Sequence, residues 1–397
     1  MLEYLNLSYM KKHGLSIPPE FKGEIDEDLL KKTQEYVAEK TRFSFISSLF
    51  GNIVLILFIF GGLLNLYNSW IASFDWSFIV SGMLFFLLLS YAGTILSIPF
   101  DLYTTFKIEN KYGFNTSPPR LWLTDFIKSI VISTVIISIV VSAGLWFVKA
   151  SPQFWWIWVW GFFLVFSLFM MYIAPYVIEP LFNKFTPIEE GGLEDRIKAL
   201  MQRTKIRVSR VFKMDASKRS RHTNAYFSGI GRVKRIVLYD TLLDMMNQDE
   251  ILAVLAHEAG HWKKRHVLKQ IILMEIVSFI GIYIAFQVMQ TDLLTNLFQI
   301  GQETFFVKVV LIAFIGSLVM YPLAPLSNLI SRRFEREADK FACHLTENTE
   351  HMASALIKLS KDNLSNLHPH PFYAAFHYSH PPVVQRVREM KKNSVKC

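Results

Sequence analysis

The segment AVLAHEAGHWKKRHVLKQ, residues 253–270, sets two histidines four apart with a glutamate beside the first. On a helix, positions four apart lie on one face about one turn from each other, so His257 and His261 can direct both imidazoles at one ion. Glu258 is rotated by about 100° from His257. That offset keeps it off the ion but near a water held there, where a carboxylate can take a proton as the water attacks a carbonyl. The ion itself lowers the pKa of the water and polarises the carbonyl. Catalytic zinc usually keeps three protein ligands and one open position. In SRRFEREADKFACH, residues 331–344, the candidates for the third are Glu335, Glu337 and Asp339. Glu335 and Asp339 share a helical face and Glu337 does not. One of that pair could bind the ion while the other orients an imidazole. The plain alternative is that these carboxylates only pair with Arg332, Arg333 and Arg336 along a helix surface.

The elements that must position these groups follow from hydropathy. Of 397 residues, 52% are hydrophobic and 15% aromatic, and the mean hydropathy is positive, which is unusual for a water-soluble chain of this length. Six apolar windows, 46–66, 78–99, 129–148, 154–178, 267–290 and 305–329, have the roughly 20 residues needed to cross a bilayer. Lys and Arg concentrate before Phe45, in 100–121, in 179–266 and after Leu329, whereas 67–76 and 291–304 contain none. That asymmetry predicts both termini in the cytoplasm. Trp155, Trp156, Trp158 and Trp160 then fall at the opposite interface, as an aromatic belt. The net charge of +9 lies beside the spans with no recognition motif, so anionic lipid is the expected partner and nucleic acid is not. Only Cys343 and Cys397 are present, and no disulfide framework is expected.

Along the chain, 1–45 reads as a cytoplasmic amphipathic lead-in, helical from about Asp26, and 46–178 as spans one to four with an ordered loop at 100–121. Residues 179–266 form the first part of a catalytic domain. It should hold a helix near Leu193–Thr204, then two strands in VSRVFKMD and VKRIVLYD separated by a loop containing HTNAYFSGIG. A helix capped at Asn247 follows and carries the histidines. Residues 267–329 hold spans five and six, and 330–397 the second part of the catalytic domain, helical to about Leu359 and then losing periodicity across HPHPFYAAFHYSHPP. The histidine helix runs into span five and the acidic helix leaves span six. A hairpin of those spans brings the two helices together although they are distant in sequence. Glu275, inside the fifth span, should face a polar interior. Pro322 and Pro325 should kink or end the sixth.

HEAGHWKKRH, SRRFEREADKFA, HTNAYFSGIGRVKRIVLYDTLL, IENKYGFN, PLFNKFTPIEEG and YSHPPVVQRV together resemble, in the same order, the signature segments of the type I CAAX prenyl proteases, integral-membrane zinc metalloendopeptidases. The resemblance runs from about Glu3 to Arg388. It implies a mainly α fold: a multi-span helical bundle enclosing a chamber, with a small α+β gluzincin-like zinc-protease domain on the cytoplasmic side. It implies one Zn2+ per chain on His257, His261 and Glu335, with Asp339 behind a ligand and Glu258 as base. His380 and Arg386 match residues placed to support the tetrahedral intermediate, where a donor opposite the ion is needed. Asn224, Ala225 and Tyr226 match a substrate-binding edge strand, to which an extended peptide adds through its backbone. His222 and His266 have no partner that the sequence names.

Eukaryotic members carry a further apolar segment before the lead-in, giving seven spans against six here, so the substrate transfers less securely than the catalytic positions. The expected substrate is a peptide or protein, prenylated in that family, and the expected enzyme a monomer in contact with membrane lipid. It would sit in the inner membrane if bacterial, and in the endoplasmic reticulum or nuclear envelope if eukaryotic. The rival functions are a general quality-control zinc protease of membrane proteins and, in another class, a transporter or scaffold with a metal site.

Overall fold

The structure, a computed structural model, describes residues 2–228 and 233–393. Helix α1 (Leu2–His13) precedes α2 (Glu27–Phe60), which joins the lead-in and the first span in one helix. Asp26 starts it by accepting from the Leu29 amide at 2.7 Å. Gly61 and Gly62 end it; Gly62 has φ 80°, a conformation that costs glycine little, and it opens the short α3 (Leu63–Ala72). The last residues of the first apolar window therefore belong to a separate helix.

The next spans are α4 (Phe78–Tyr112), α5 (Pro119–Ala150) and α6 (Trp155–Phe182). The stretch 100–121 continues α4 as far as Tyr112 before Gly113, at φ 85°, stops it. Polar residues there hide the helical pattern, but Ile108 and Tyr112 are buried against Tyr36 of α2 and Phe114. Both α4 and α6 contain a π-helical turn, at Thr104–Glu109 and Ala174–Ile178.

The soluble part begins with β1 (Phe185–Pro187), α7 (Leu193–Arg203) and β2 (Arg207–Met214). It continues through β3 (Ala225–Ser228), β4 (Val233–Tyr239), α8 (Asp240–Met245) and α9 (Gln248–Lys263). The sheet order is β1-β2-β4-β3; β2 and β4 are parallel, and β3 pairs antiparallel with β4 from Ala225↔Leu238 to Ser228↔Arg235. The two expected strands are present. The stretch read as a loop between them contributes a third, β3, too short to show alternation; its Gly229, Ile230 and Gly231 lie outside the described residues.

Span five is α10 (His266–Met289), followed by the short α11 (Leu293–Leu297). The sixth apolar run is broken by a 3-10 turn at Tyr321–Leu323 into α12 (Phe305–Met320) and α13 (Ala324–Thr346), where Pro322 and Pro325 were expected to interrupt it. Then come α14 (Glu350–Asp362), α15 (Pro371–His377) where periodicity lapses, and α16 (Val383–Asn393). Proline at the first position of α15 and a His370 side chain accepting from the Phe372 amide at 3.2 Å supply a start that hydropathy does not register.

Among the described residues, six helices are long and apolar enough to cross a membrane. Five of their apolar windows are at most 6% buried, so most of their side chains keep some exposure, while Ile59, Phe85, Leu145, Phe306 and Leu311 join the spans in one packed cluster. Glu275 is half-buried on α10, where its backbone carbonyl accepts from Trp160 Nε1 at 3.3 Å. The soluble core joins Ile197, Ile236, Leu255, Ala256, Ala259 and Ala342, which clamps α9 between the sheet and α13. Arg219 holds this unit to α5 through two bonds to the Asp125 carboxylate, at 2.7 and 3.1 Å. Cys343 is buried on α13; Cys397 lies outside the described residues.

Candidate metal centre

Helix α9 begins with a capping box. The Asn247 side chain accepts from the Glu250 amide at 3.0 Å and the Glu250 carboxylate accepts from the Asn247 amide at 2.9 Å. Three turns on, the seam AVLAHEAGH is small enough for α9 to lie directly on α13. A methyl added at Gly260 would stand 3.0 Å from Ala338 Cα. This close crossing brings the face carrying His257 and His261 against the face carrying Glu335 and Asp339.

The Nε2 atoms of His257 and His261 are 3.1 Å apart. Glu335 Oε2 lies 3.4 Å from the first and Glu335 Oε1 3.2 Å from the second. One nitrogen of each imidazole and one carboxylate oxygen fall within 4.8 Å of one another. His257 Nδ1 is 2.8 Å from Asp339 Oδ1, and that oxygen can only accept, so the proton of a neutral His257 belongs on Nδ1. Its Nε2 lone pair then faces the Glu335 carboxylate. Glu335 Oε2 is buried with no hydrogen-bond donor. Converging lone pairs with no proton between them repel unless a cation lies among them. The same demand appears in His257: burial pulls its pKa down, but the Asp339 and Glu335 carboxylates outweigh burial and raise it to about 9. Two imidazoles and a carboxylate suit zinc, which takes N and O donors in sites of this kind.

Arg386 of α16 is buried and closes the back of the site. It donates to both Asp339 oxygens, Nη2 to Oδ1 at 2.6 Å and Nε to Oδ2 at 2.9 Å, and Nη1 is 3.7 Å from Glu335 Oε2. His380, more exposed, reaches Glu335 Oε1 with Nε2 at 3.3 Å and contacts Ser379 Oγ with Nδ1 at 2.9 Å. Burial lowers its pKa. The loop before it is fixed from α13: Arg332 donates to the Tyr378 carbonyl at 2.6 Å and Asn328 to the Phe376 carbonyl at 2.6 Å. Glu258 lies within the field of His257, His261, Glu335 and Arg386; burial pushes its carboxyl pKa up, and the neighbouring histidines pull against that.

Six of the expected residues, His257, His261, Glu335, Asp339, His380 and Arg386, thus meet at one point, with Glu258 beside it. Asn224, Ala225 and Tyr226 lie on the edge strand instead. Ala225 shares the core with Ala256 and Ala259 of α9, so β3 lies along the histidine helix. Asn224 is exposed, and Tyr226 donates to Glu179 Oε2 at 2.6 Å. Of the arginine pairs considered as an alternative, only Arg333 with Glu337 forms, at 3.1 Å.

Two partners escaped the sequence reading. His266 Nδ1 is 3.1 Å from His261 Nδ1, and its Nε2 is 3.2 Å from Glu337 Oε2. Residues five apart are about 140° apart on a continuous helix and do not meet. Here Arg265, at φ 57°, interrupts the helix and turns His266 back. His222 packs flat on Phe114, contacts Asn363 Oδ1 with Nδ1 at 2.6 Å and faces Glu109 with Nε2 at 3.5 Å. Only the strings WKKRH and HTNAY carry these two histidines, and neither spacing signals a contact.

Residues 6–184 match the family described as CAAX prenyl protease N-terminal, five membrane helices, and residues 187–394 match peptidase family M48. The chain is 34% identical to a CAAX prenyl protease 1 homolog of Arabidopsis thaliana, over 97% of this chain and 93% of that protein. It is also 34% identical to CAAX prenyl protease 1 of Saccharomyces cerevisiae, over 97% and 92%. The crystal structure of S. mikatae Ste24p superposes with a TM-score of 0.91 at 30% identity, over 98% of this chain and 94% of that one.

Proposed function

The chain belongs to peptidase family M48 as a multi-pass membrane metalloendopeptidase, and on that premise we propose that His257, His261 and Glu335 hold one zinc ion beside a peptide-binding strand edge. The observation that carries this is the convergence of three ligand atoms within 4.8 Å around a buried carboxylate oxygen that has no donor. Zinc bound there would lower the pKa of a water and polarise the scissile carbonyl.

The protein's own groups do the rest. Glu258 takes the proton of the attacking water and delivers it to the leaving amine. A carboxylate one position from a ligand imidazole is placed to take that proton and return it. Asp339, itself gripped by Arg386, holds the His257 proton on Nδ1 and so leaves Nε2 as the ligating atom. His380, on a loop fixed by Arg332 and Asn328, and Arg386 offer donors where negative charge gathers on the attacked carbonyl. Among the described residues β3 is an edge strand, and from Asn224 to Tyr226 it pairs with an extended substrate through backbone bonds.

The substrate proposed is a prenylated peptide or protein, the activity that the names of the relatives attach to them. The protein acts as a monomer among anionic lipids, with both termini and the catalytic unit in the cytoplasm. The test is cleavage of two peptides, identical except for a farnesyl group on the cysteine, by detergent-purified protein with and without a zinc chelator. Chelator-sensitive cleavage confined to the farnesylated peptide is expected. Equal cleavage of both would favour a general membrane protease, and cleavage insensitive to chelation would remove the metal from the mechanism.

A further inference from the structure

We propose that His266 and Glu337 form a relay that sets the proton and orientation of His261, and thereby tunes how tightly the metal is held. The inference rests on the reading of His257, His261 and Glu335 as the ligand set.

The two imidazole ligands are supported differently. His257 has a carboxylate, Asp339, directly on its Nδ1. His261 has none. Its Nδ1 faces a third imidazole, His266, at 3.1 Å, and that imidazole faces Glu337 at 3.2 Å. Chemistry allows one proton arrangement along this row. For His261 to ligate through Nε2, its proton must be on Nδ1. His266 Nδ1 must then accept, so the His266 proton is on Nε2 and is donated to Glu337 Oε2. Each ring nitrogen in the chain has one role and each has a partner.

The surroundings fit a relay held in register. His266 is 1% exposed, and its ring stacks on Phe334 at 4.2 Å with 6° between the planes, which fixes the plane in which both nitrogens lie. The left-handed Arg265 between α9 and α10 is what aims the ring back at His261. Glu337 is anchored in turn by Arg333 at 3.1 Å. Glu337 and Asp339 are two residues apart on α13 and point to different sides, so one helix supplies the terminal carboxylate for both ligands. A helix start at α10 requires neither an imidazole at 266 nor an acceptor at 337.

The test uses the full chain in detergent, freed of metal and titrated with Zn2+ against a chromophoric chelator, then loaded with Co2+ for its visible ligand-field bands. His266→Phe keeps a ring to stack on Phe334 but removes both nitrogens. Glu337→Leu removes the acceptor, and Glu337→Gln keeps one through its amide oxygen. The expected result is one Zn2+ per wild-type chain, an affinity about 10–100-fold weaker with shifted cobalt bands in His266→Phe and Glu337→Leu, and near wild-type behaviour in Glu337→Gln. Glu337 is partly exposed, so its two variants test the relay even where His266→Phe does not fold. Wild-type affinity and cobalt bands in His266→Phe, or equal weakening by Leu and Gln at 337, would overturn the relay while leaving the ligand set intact. A wild-type chain that binds no Zn2+ would overturn the ligand set, and the relay with it.

Discussion

Gly260, between the two candidate ligand histidines, lies directly against α13, and Gly260→Ala sets two effects of opposite sign against each other. Alanine is a better helix former than glycine by up to about 1 kcal/mol. Against this, the new methyl would lie 3.0 Å from Ala338 Cα, 3.1 Å from the Ala338 carbonyl oxygen and 3.2 Å from Phe341 Cβ. Ordinary carbon contacts are about 3.5–4.0 Å, so roughly 0.5 Å must be found. Two of the three atoms are backbone and cannot rotate away, so the helices must separate. Overpacking of this kind costs about 1–3 kcal/mol, and it should win by roughly 1 kcal/mol. The metal is the more sensitive readout, since ligand distances tolerate about 0.2 Å and His257 and Glu335 sit on opposite sides of this crossing. Zinc affinity measured by chelator competition should fall at least about tenfold, with a modest loss of thermal stability in detergent. Gly281→Ala, on α10 with nothing within 4 Å of its added methyl, is the control: it should leave zinc affinity unchanged and should not lower stability. A Gly260→Ala protein as stable as wild type, with undiminished zinc affinity, would refute the idea that the crossing distance sets the site.

Three further outcomes are expected. Glu258→Gln should bind zinc and fold as wild type but lose about 10²–10⁴-fold in kcat, and substantial residual hydrolysis would exclude Glu258 as the base. Asn247→Ala removes one half of the capping box of α9 and should cost about 1 kcal/mol in unfolding measurements with no change in cleavage specificity. The hydrogen bond to Glu109 raises the His222 pKa above its ordinary value despite burial, so its ion pair stabilises the fold fully below about pH 6.5 and is lost as pH rises through the elevated value. Unfolding midpoints of wild type should therefore fall towards those of His222→Gln as pH is raised, and parallel curves would rule the pair out.

The sequence alone determined what depends on local chemistry and on solvent. A helix that crosses a bilayer must be long and apolar, so six of them were legible, and proline cannot continue a helix without cost, so the break at 321–323 was too. The four-residue spacing of His257 and His261, and the shared face of Glu335 and Asp339, follow from helical period alone. Tertiary structure decided what depends on irregular backbone and on contacts between distant segments. Strand β3 is four residues long, and α15 starts from a side-chain cap and a proline rather than from an apolar stripe. His266 reaches His261 only because Arg265 adopts a left-handed conformation that no spacing rule includes. Which carboxylate meets which imidazole was settled by a helix crossing that places Gly260 on Ala338. That crossing depends on the fit of two surfaces some 80 residues apart in the chain, and no local pattern encodes such a fit.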